Sequence, residues 1–223
     1  MLRHRFLISG TDTGVGKTTV TCSLATGFRR RGLRVGVMKP AETGCVQCDG
    51  NLTALDAVAL RAAAESNAEI DLICPYRYAI PLAPAAAALV EGRGAPDLNR
   101  IEAAYAQLAQ DTDVMLVEGA GGLAVPITWC HNYADLALAI DLELILVVPN
   151  RLGCINGTLL SLSYAAQRGL RIKGYILNEI ETELSAAAQT NALSLERLLP
   201  DQCLGMMKYN GSLSDEICRI VLS

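Results

Sequence analysis

Short apolar runs alternate with longer stretches of helical periodicity along the whole chain. The apolar runs predict strands over residues 5–9, 34–38, 113–119 ("DVMLVEG"), 142–150 ("LELILVVPN"), 172–180 ("IKGYILNEI") and 202–207 ("QCLGMM"). Apolar positions three and four apart predict helices over 16–31, 52–66, 83–91, 98–110, 133–140, 155–168, 183–198 and 212–221. Near-continuous apolar strands such as "LILVV" belong to sheets covered on both faces, and strand–helix alternation points to parallel strands joined by right-handed crossovers. The expectation is an α/β fold with a mostly parallel central sheet of about seven strands and helices on both faces. In such sheets ligands bind beyond the carboxyl ends of the strands, so the polar residues that matter should follow strands.

Length and composition narrow this picture. The 223 residues suit one large domain, 1–223, and no linker or internal repeat divides them. Hydrophobic residues make up 51% of the chain but include only two Phe and one Trp, so aliphatic side chains must fill the core. With a formal net charge of −4, and basic clusters only at 3–5 and 29–31, no nucleic-acid partner is expected. No apolar stretch approaches the about 18 residues of a membrane span, and the first residues lead straight into a strand, so a cytoplasmic protein without membrane partners is expected. The eight cysteines are scattered, at 22, 45, 48, 74, 130, 154, 203 and 218, which fits a reducing compartment. Cys45 and Cys48 form a C-x-x-C, but no second pair exists to complete a zinc site, and they are read as ordinary loop thiols.

Candidate chemistry begins at "ISGTDTGVGKTTV", residues 8–20. A glycine-rich loop here joins a strand end to a helix N-terminus, where unpaired N–H groups and the helix dipole favour an anion. Gly14 and Gly16 let the backbone approach phosphate oxygens, with Val15 between them. Lys17 would reach the outer phosphates, and Thr18, followed by Thr19, would bring a hydroxyl to Mg²⁺. The loop departs from G-x-x-x-x-G-K-[ST] in one respect: Thr11 stands where the first glycine belongs, and the glycine is Gly10. The fold expected is therefore that of a phosphate-loop nucleotide hydrolase, with a nucleotide and Mg²⁺ as cofactors.

Other strand ends supply further groups. Strand 34–38 runs into "KPAETG", placing Lys39 on the same rim, although a lysine after a strand is by itself equally well a solvated one. Strand 113–117 runs into "EGAGG", which offers Glu118 as a metal carboxylate and Gly119, Ala120 and Gly121 as a close-approach backbone. Asp56 is the only acid in an apolar helical stretch and is either an exposed helix-face residue or a second metal carboxylate. Asn178 closes a strand, where its amide could read a base edge or simply form a turn.

Together "GTDTGVGKT" (10–18), "KPAETG" (39–44), "VEGAGG" (117–122), "LGCIN" (152–156) and "LN" (177–178) resemble the dethiobiotin synthetases, in that family's order and nearly its spacing. The early glycine is the family's own loop variant. The resemblance implies a homodimeric ATP-dependent cyclo-ligase of biotin biosynthesis. Its partners would be 7,8-diaminononanoate and CO₂ or bicarbonate, and its products dethiobiotin, ADP and phosphate. By resemblance, Lys39, Lys17 and Thr13 are catalytic, and Thr13, Lys39 and Thr43 lie near the substrate or its carbamate. Thr18, Asp56 and Glu118 are Mg²⁺ ligands, and Asn178 contacts the base. The same resemblance has Gly153, Cys154, Ile155 and Asn156 reach a neighbouring subunit's site, where a helix N-terminus meets the substrate carboxylate. After the last strand the family often has a proline-containing loop, where this chain reads "MMKYNG" (206–211).

The main alternative is a partition- or septum-positioning switch ATPase. Such proteins carry an early loop lysine, as in "KGGxGKT", where this chain has "TDTGVGKT". Amide-forming synthetases of cobalamin biosynthesis share a similar loop but need a glutaminase domain that this chain does not hold.

Overall fold

The computed structural model describes residues 4–48, 50–183 and 185–223. Strand β1 (His4–Gly10), buried from Phe6 onward, leads into α1 (Lys17–Arg30) and β2 (Val35–Met38). A run of short elements follows: β3 (Ala41–Thr43), β4 (Val46–Cys48), β5 (Asn51–Thr53), α2 (Leu55–Ala64), α3 (Ile70–Ile73), β6 (Tyr76–Tyr78) and α4 (Pro84–Val90). The regular alternation then resumes with α5 (Leu98–Ala109), β7 (Val114–Gly122), α6 (Tyr133–Ala139), β8 (Glu143–Pro149) and α7 (Cys154–Gln167). It ends with β9 (Ile172–Asn178), α8 (Ala186–Leu198), β10 (Cys203–Met207) and α9 (Asp215–Leu222).

The central sheet has six strands in the order β10-β9-β8-β1-β7-β2, all parallel, where the sequence predicts about seven. Two separate ribbons, parallel β3 with β6 and antiparallel β4 with β5, account for the other strands among the described residues. β8 is buried at every position from Leu144 to Pro149, and successive strand residues face opposite ways, so both faces of the sheet are covered. Phe28 and Leu24 of α1 and Leu60 of α2 join the aliphatic strand residues in the core.

Two expectations shift. The helix predicted over 52–66 begins only at Leu55, because Asn51–Thr53 pairs back on β4 across a turn in which Gly50 has φ 78. The helix predicted over 183–198 starts at Ala186, where the Ser185 side chain accepts from the Ala188 N–H as its cap. Leu184, within that predicted range, and Arg3, in the first basic cluster, lie outside the described residues. Among the described residues no helix is long and apolar enough to cross a membrane.

Sheet register assembles the site. Met38 pairs with Val117, and Ile8 with Glu118, so Lys39, Glu118 and the loop that follows β1 emerge side by side at the carboxyl edge. The candidate residues on β1, β2 and β7 therefore converge where the topology rule expects a ligand.

Candidate active site

The loop between β1 and α1 is shaped by close approach. A Cβ on Gly10 would lie 2.6 Å from Val15 Cγ2 and 2.8 Å from the Asp12 carbonyl oxygen, which accounts physically for the early glycine. Gly16, the N-cap of α1, is left-handed at φ 87 and makes no side-chain cap bond, so the first-turn N–H groups of α1 have no capping side chain. Lys17 Nζ donates to the Asp12 carbonyl oxygen at 2.9 Å. Burial, then the nearby Lys39 charge, lowers the Lys17 pKa to about 8 against the pull of Glu118, Asp56 and Asp12.

Lys39 is 3% exposed, and its Nζ donates to Asp56 Oδ2 at 2.8 Å and to Glu118 Oε1 at 2.6 Å. Burial works against its charge, but the Glu118 and Asp56 carboxylates outweigh that and hold its pKa above the ordinary lysine value. Burial likewise opposes ionisation of Asp56, and the Lys39 charge with hydrogen bonds from Lys39 and Thr18 reverses it, leaving a lowered pKa. The Thr18 hydroxyl donates to the same Glu118 Oε1 at 2.9 Å. Glu118 Oε2 is buried and has no protein partner among the described residues.

These groups border one cavity of about 660 Å³. Thr13, Gly14, Gly16, Lys17, Thr18 and Thr19 line it from the loop and α1, and Lys39, Thr43 and Asp56 from the opposite wall. Glu118, Ala120 and Gly121 form its floor along β7. The remaining candidates lie elsewhere. Val15 is buried behind the loop, and Gly119 backs onto the Tyr133 ring. Asn178 is buried, its Nδ2 donating to the Val15 carbonyl oxygen at 2.9 Å while Oδ1 has no partner among the described residues. Gly153, Cys154, Ile155 and Asn156 begin α7 outside this cavity. That helix runs beside the loop's outer side, where a Cβ on Gly157 would lie 3.3 Å from Thr11 Cβ. A second cavity of about 550 Å³ lies there, between Thr11–Thr13, the segment after β7, and Leu160 and Tyr164 of α7.

Sequence reasoning passes over several residues. Glu42 stands inside the quoted "KPAETG", yet it is the buried Glu42 carboxylate that accepts the N–H groups of Asp56 and Ala57, both at 3.0 Å. Pro81, Leu82, Ala83 and Pro84, where the chain runs from β6 into α4, also line the cavity. Asn150 and Asn191 form a buried pair, Asn191 Nδ2 donating to Asn150 Oδ1 at 3.0 Å and to the Arg151 carbonyl oxygen at 3.1 Å. The Asn150 N–H in turn donates to the Asn178 carbonyl oxygen at 2.7 Å. Cys45 is buried with its pKa pushed up to about 11, chiefly by burial, while Cys48 is exposed in β4.

A parallel sheet whose central strand feeds a glycine loop into an uncapped helix, with lysines and carboxylates facing that loop, defines a phosphate-loop ATPase fold. Among solved structures, a plasmid partition protein from Borrelia burgdorferi shares it, with a TM-score of 0.61 at 14% identity over 100% of this chain and 97% of that one. Residues 4–216 match the family model described as AAA domain. The chain is 39% identical to ATP-dependent dethiobiotin synthetase BioD of Thermodesulfovibrio yellowstonii, over 96% of this chain and 92% of that protein. It is 40% identical to the protein of the same name from Anaeromyxobacter dehalogenans, over 93% and 91%. The chain belongs to the dethiobiotin synthetase family.

Lys17 generates a prediction. With its pKa near 8 in the free protein, the side chain loses its proton as pH rises through that value, and a bound polyphosphate should draw the proton back. Calorimetry of ATP binding in buffers of different ionisation enthalpy should show uptake of up to about one proton around pH 8.5 and almost none at pH 6.5. Lys17→Ala should abolish the uptake; uptake that survives the substitution would assign the proton to another group.

Proposed function

We propose that this chain, as a single domain, catalyses the ATP-dependent carboxylation and ring closure of 7,8-diaminononanoate with CO₂ to dethiobiotin in biotin biosynthesis, releasing ADP and phosphate. The observation that carries the reading is that Lys39, Glu118, Asp56, Thr18 and Lys17 line one cavity together with Thr13 and Thr43, with Lys39 and Thr18 both bonded to Glu118. Family membership supplies the substrate class.

The donor set fits Mg²⁺. Glu118 Oε2 is a buried acceptor without a partner, and the Thr18 hydroxyl and Asp56 carboxylate lie at the same junction. No group of three His, Cys, Asp or Glu side chains that could hold a metal occurs among the described residues. Phosphate oxygens and water would therefore complete the shell, as is usual for this ion. Mg²⁺ so held would offset the negative charge that develops during phosphoryl transfer.

The chain's own residues do the rest. The open N–H groups at the start of α1 and the Lys17 ammonium cradle the phosphates, and Lys39 brings a permanent charge to the point where carbamate and γ-phosphate meet. Thr13 and Thr43 hold the carbamate by hydrogen bonding. Its oxygen attacks the γ-phosphorus, the bond to the bridging oxygen breaks, and ADP leaves. The second amine then attacks the mixed anhydride carbon, loses a proton and expels phosphate, closing the cyclic urea. Binding both partners in one cavity makes each step effectively intramolecular.

Asn178 acts on the nucleotide site in two ways: its Nδ2 fixes the Val15 carbonyl, and its Oδ1 is left to accept the amino group of adenine. The N-terminus of α7, Gly153 to Asn156, receives the substrate carboxylate across a homodimer. Supporting this, Leu152 and Leu160 are 84% and 62% exposed around that helix start. A partition-type switch shares the fold, but the early loop lysine of such proteins is absent here, where Thr11 to Thr13 read "TDT".

The test is nucleotide hydrolysis with Mg²⁺ and bicarbonate, with and without the diamine, following product mass beside phosphate. Phosphate release that depends on the diamine and matches cyclic urea formed is the expected result; diamine-independent hydrolysis would move the chain to the switch ATPases. Lys39→Ala should lower kcat about 100-fold or more while changing nucleotide Kd less than about 5-fold, and equal losses would contradict its part in the reaction. Asp56→Asn should raise the Mg²⁺ needed for half activity by about 10-fold. An unchanged requirement would leave Asp56 only an ion-pair partner of Lys39.

A further inference from the structure

Helix α2 carries Asp56 in its first turn, yet its N-cap residue, Ala54, has no side chain that can cap it. The two N–H groups that a capping side chain ordinarily serves, those of Asp56 and Ala57, instead meet Glu42 Oε1 and Oε2, each at 3.0 Å. Glu42 comes from a different element, β3, next in sequence to Thr43. It is 6% exposed and makes no ion pair among the described residues.

Burying a carboxylate is an expensive way to cap a helix; a serine at position 54 would satisfy an N–H with far less desolvation. What a local cap could not do is tie two elements together. The bidentate contact fixes the backbone of Asp56 relative to β3, and from that backbone the Asp56 side chain reaches Lys39 Nζ at 2.8 Å. The N-terminal dipole of α2 favours the negative charge placed there.

We infer that Glu42 is a positioning residue: by capping α2 from β3 it holds Asp56 at the point where Asp56 meets Lys39 and the metal ion. The inference rests on the reading of Asp56 as a metal ligand. Its role is orientation of a ligand from behind, a contact whose loss typically lowers metal affinity without touching the ion.

The experiment titrates Mn²⁺ into the protein with ADP, following free Mn²⁺ by electron paramagnetic resonance, for Glu42→Gln, Asp56→Asn and the double variant. A glutamine replaces one of the two accepting oxygens with an NH₂ that would face an N–H. Glu42→Gln should weaken Mn²⁺ binding about 10-fold. Metal-free ADP affinity should stay within about twofold, because the loop that holds the phosphates is untouched. In the Asp56→Asn background the same change should add less than about a twofold effect, since the group it positions is gone. A full loss that persists in that background, or a lowered Tm with unchanged Mn²⁺ affinity, would overturn the inference. Should Glu42→Gln not fold, Glu42→Asp keeps charge and both acceptors on a shorter arm; it should also weaken Mn²⁺ binding, and unchanged binding there overturns the inference equally. A wild-type protein that takes up no Mn²⁺ would overturn the proposed metal site and this inference with it, whereas failure of the inference alone is read from the variants.

Discussion

The Lys39 ammonium, closed between Glu118 and Asp56, is the interaction on which the rest of the site depends. The side chains of Lys39 and Glu118 are almost wholly withdrawn from water, at 4% and 0% exposure. Removing one member of such a buried pair typically costs roughly 3–5 kcal/mol, because the other charge is left uncompensated. The same Glu118 oxygen receives the Thr18 hydroxyl, so one junction links the end of β2, the middle of β7, α2 and the first turn of α1. A site built this way is polarised before any ligand arrives, which is the condition under which fixed charges are most effective.

The two lysines share a cavity but differ in electrical character. Lys39 is surrounded by carboxylates and keeps its charge; Lys17 faces that charge, leans on a carbonyl oxygen and holds its proton weakly. The state of Lys17 follows first from its burial and then from the Lys39 charge that repels it, which together outweigh the pull of Glu118, Asp56 and Asp12. Lys39 is a permanent charge of the site, whereas Lys17, with its pKa lowered to about 8, sheds its proton above that value unless an anion lies beside it.

Much of this was legible in the chain. Continuous apolar strands gave the buried parallel sheet, and the rule that ligands lie past strand carboxyl ends singled out Lys17 and Lys39, whereas Glu118, expected just after a strand, lies inside β7, which runs on to Gly122. Between residues 39 and 78 only α2 was legible, because the strands of three residues and the four-residue helix around it are too short to show a period. Glu42 escaped for a different reason: its partners are backbone N–H groups on another element, and nothing in the side chains of Asp56 or Ala57 advertises them. Asn178 illustrates the converse. Its place at a strand end was read correctly, but a residue type cannot say that its NH₂ is already engaged by the phosphate loop.

That engagement has a consequence for how the protein can change. A Cβ on residue 16 would fall 2.2 Å from Asn178 Nδ2, and the same amide holds the Val15 carbonyl oxygen. The phosphate loop and the strand end beneath it are therefore one interlocked surface made by two distant parts of the gene. A substitution at position 178 must therefore preserve the loop's shape as well as its own strand end, and a side chain at position 16 finds no room unless residue 178 changes with it.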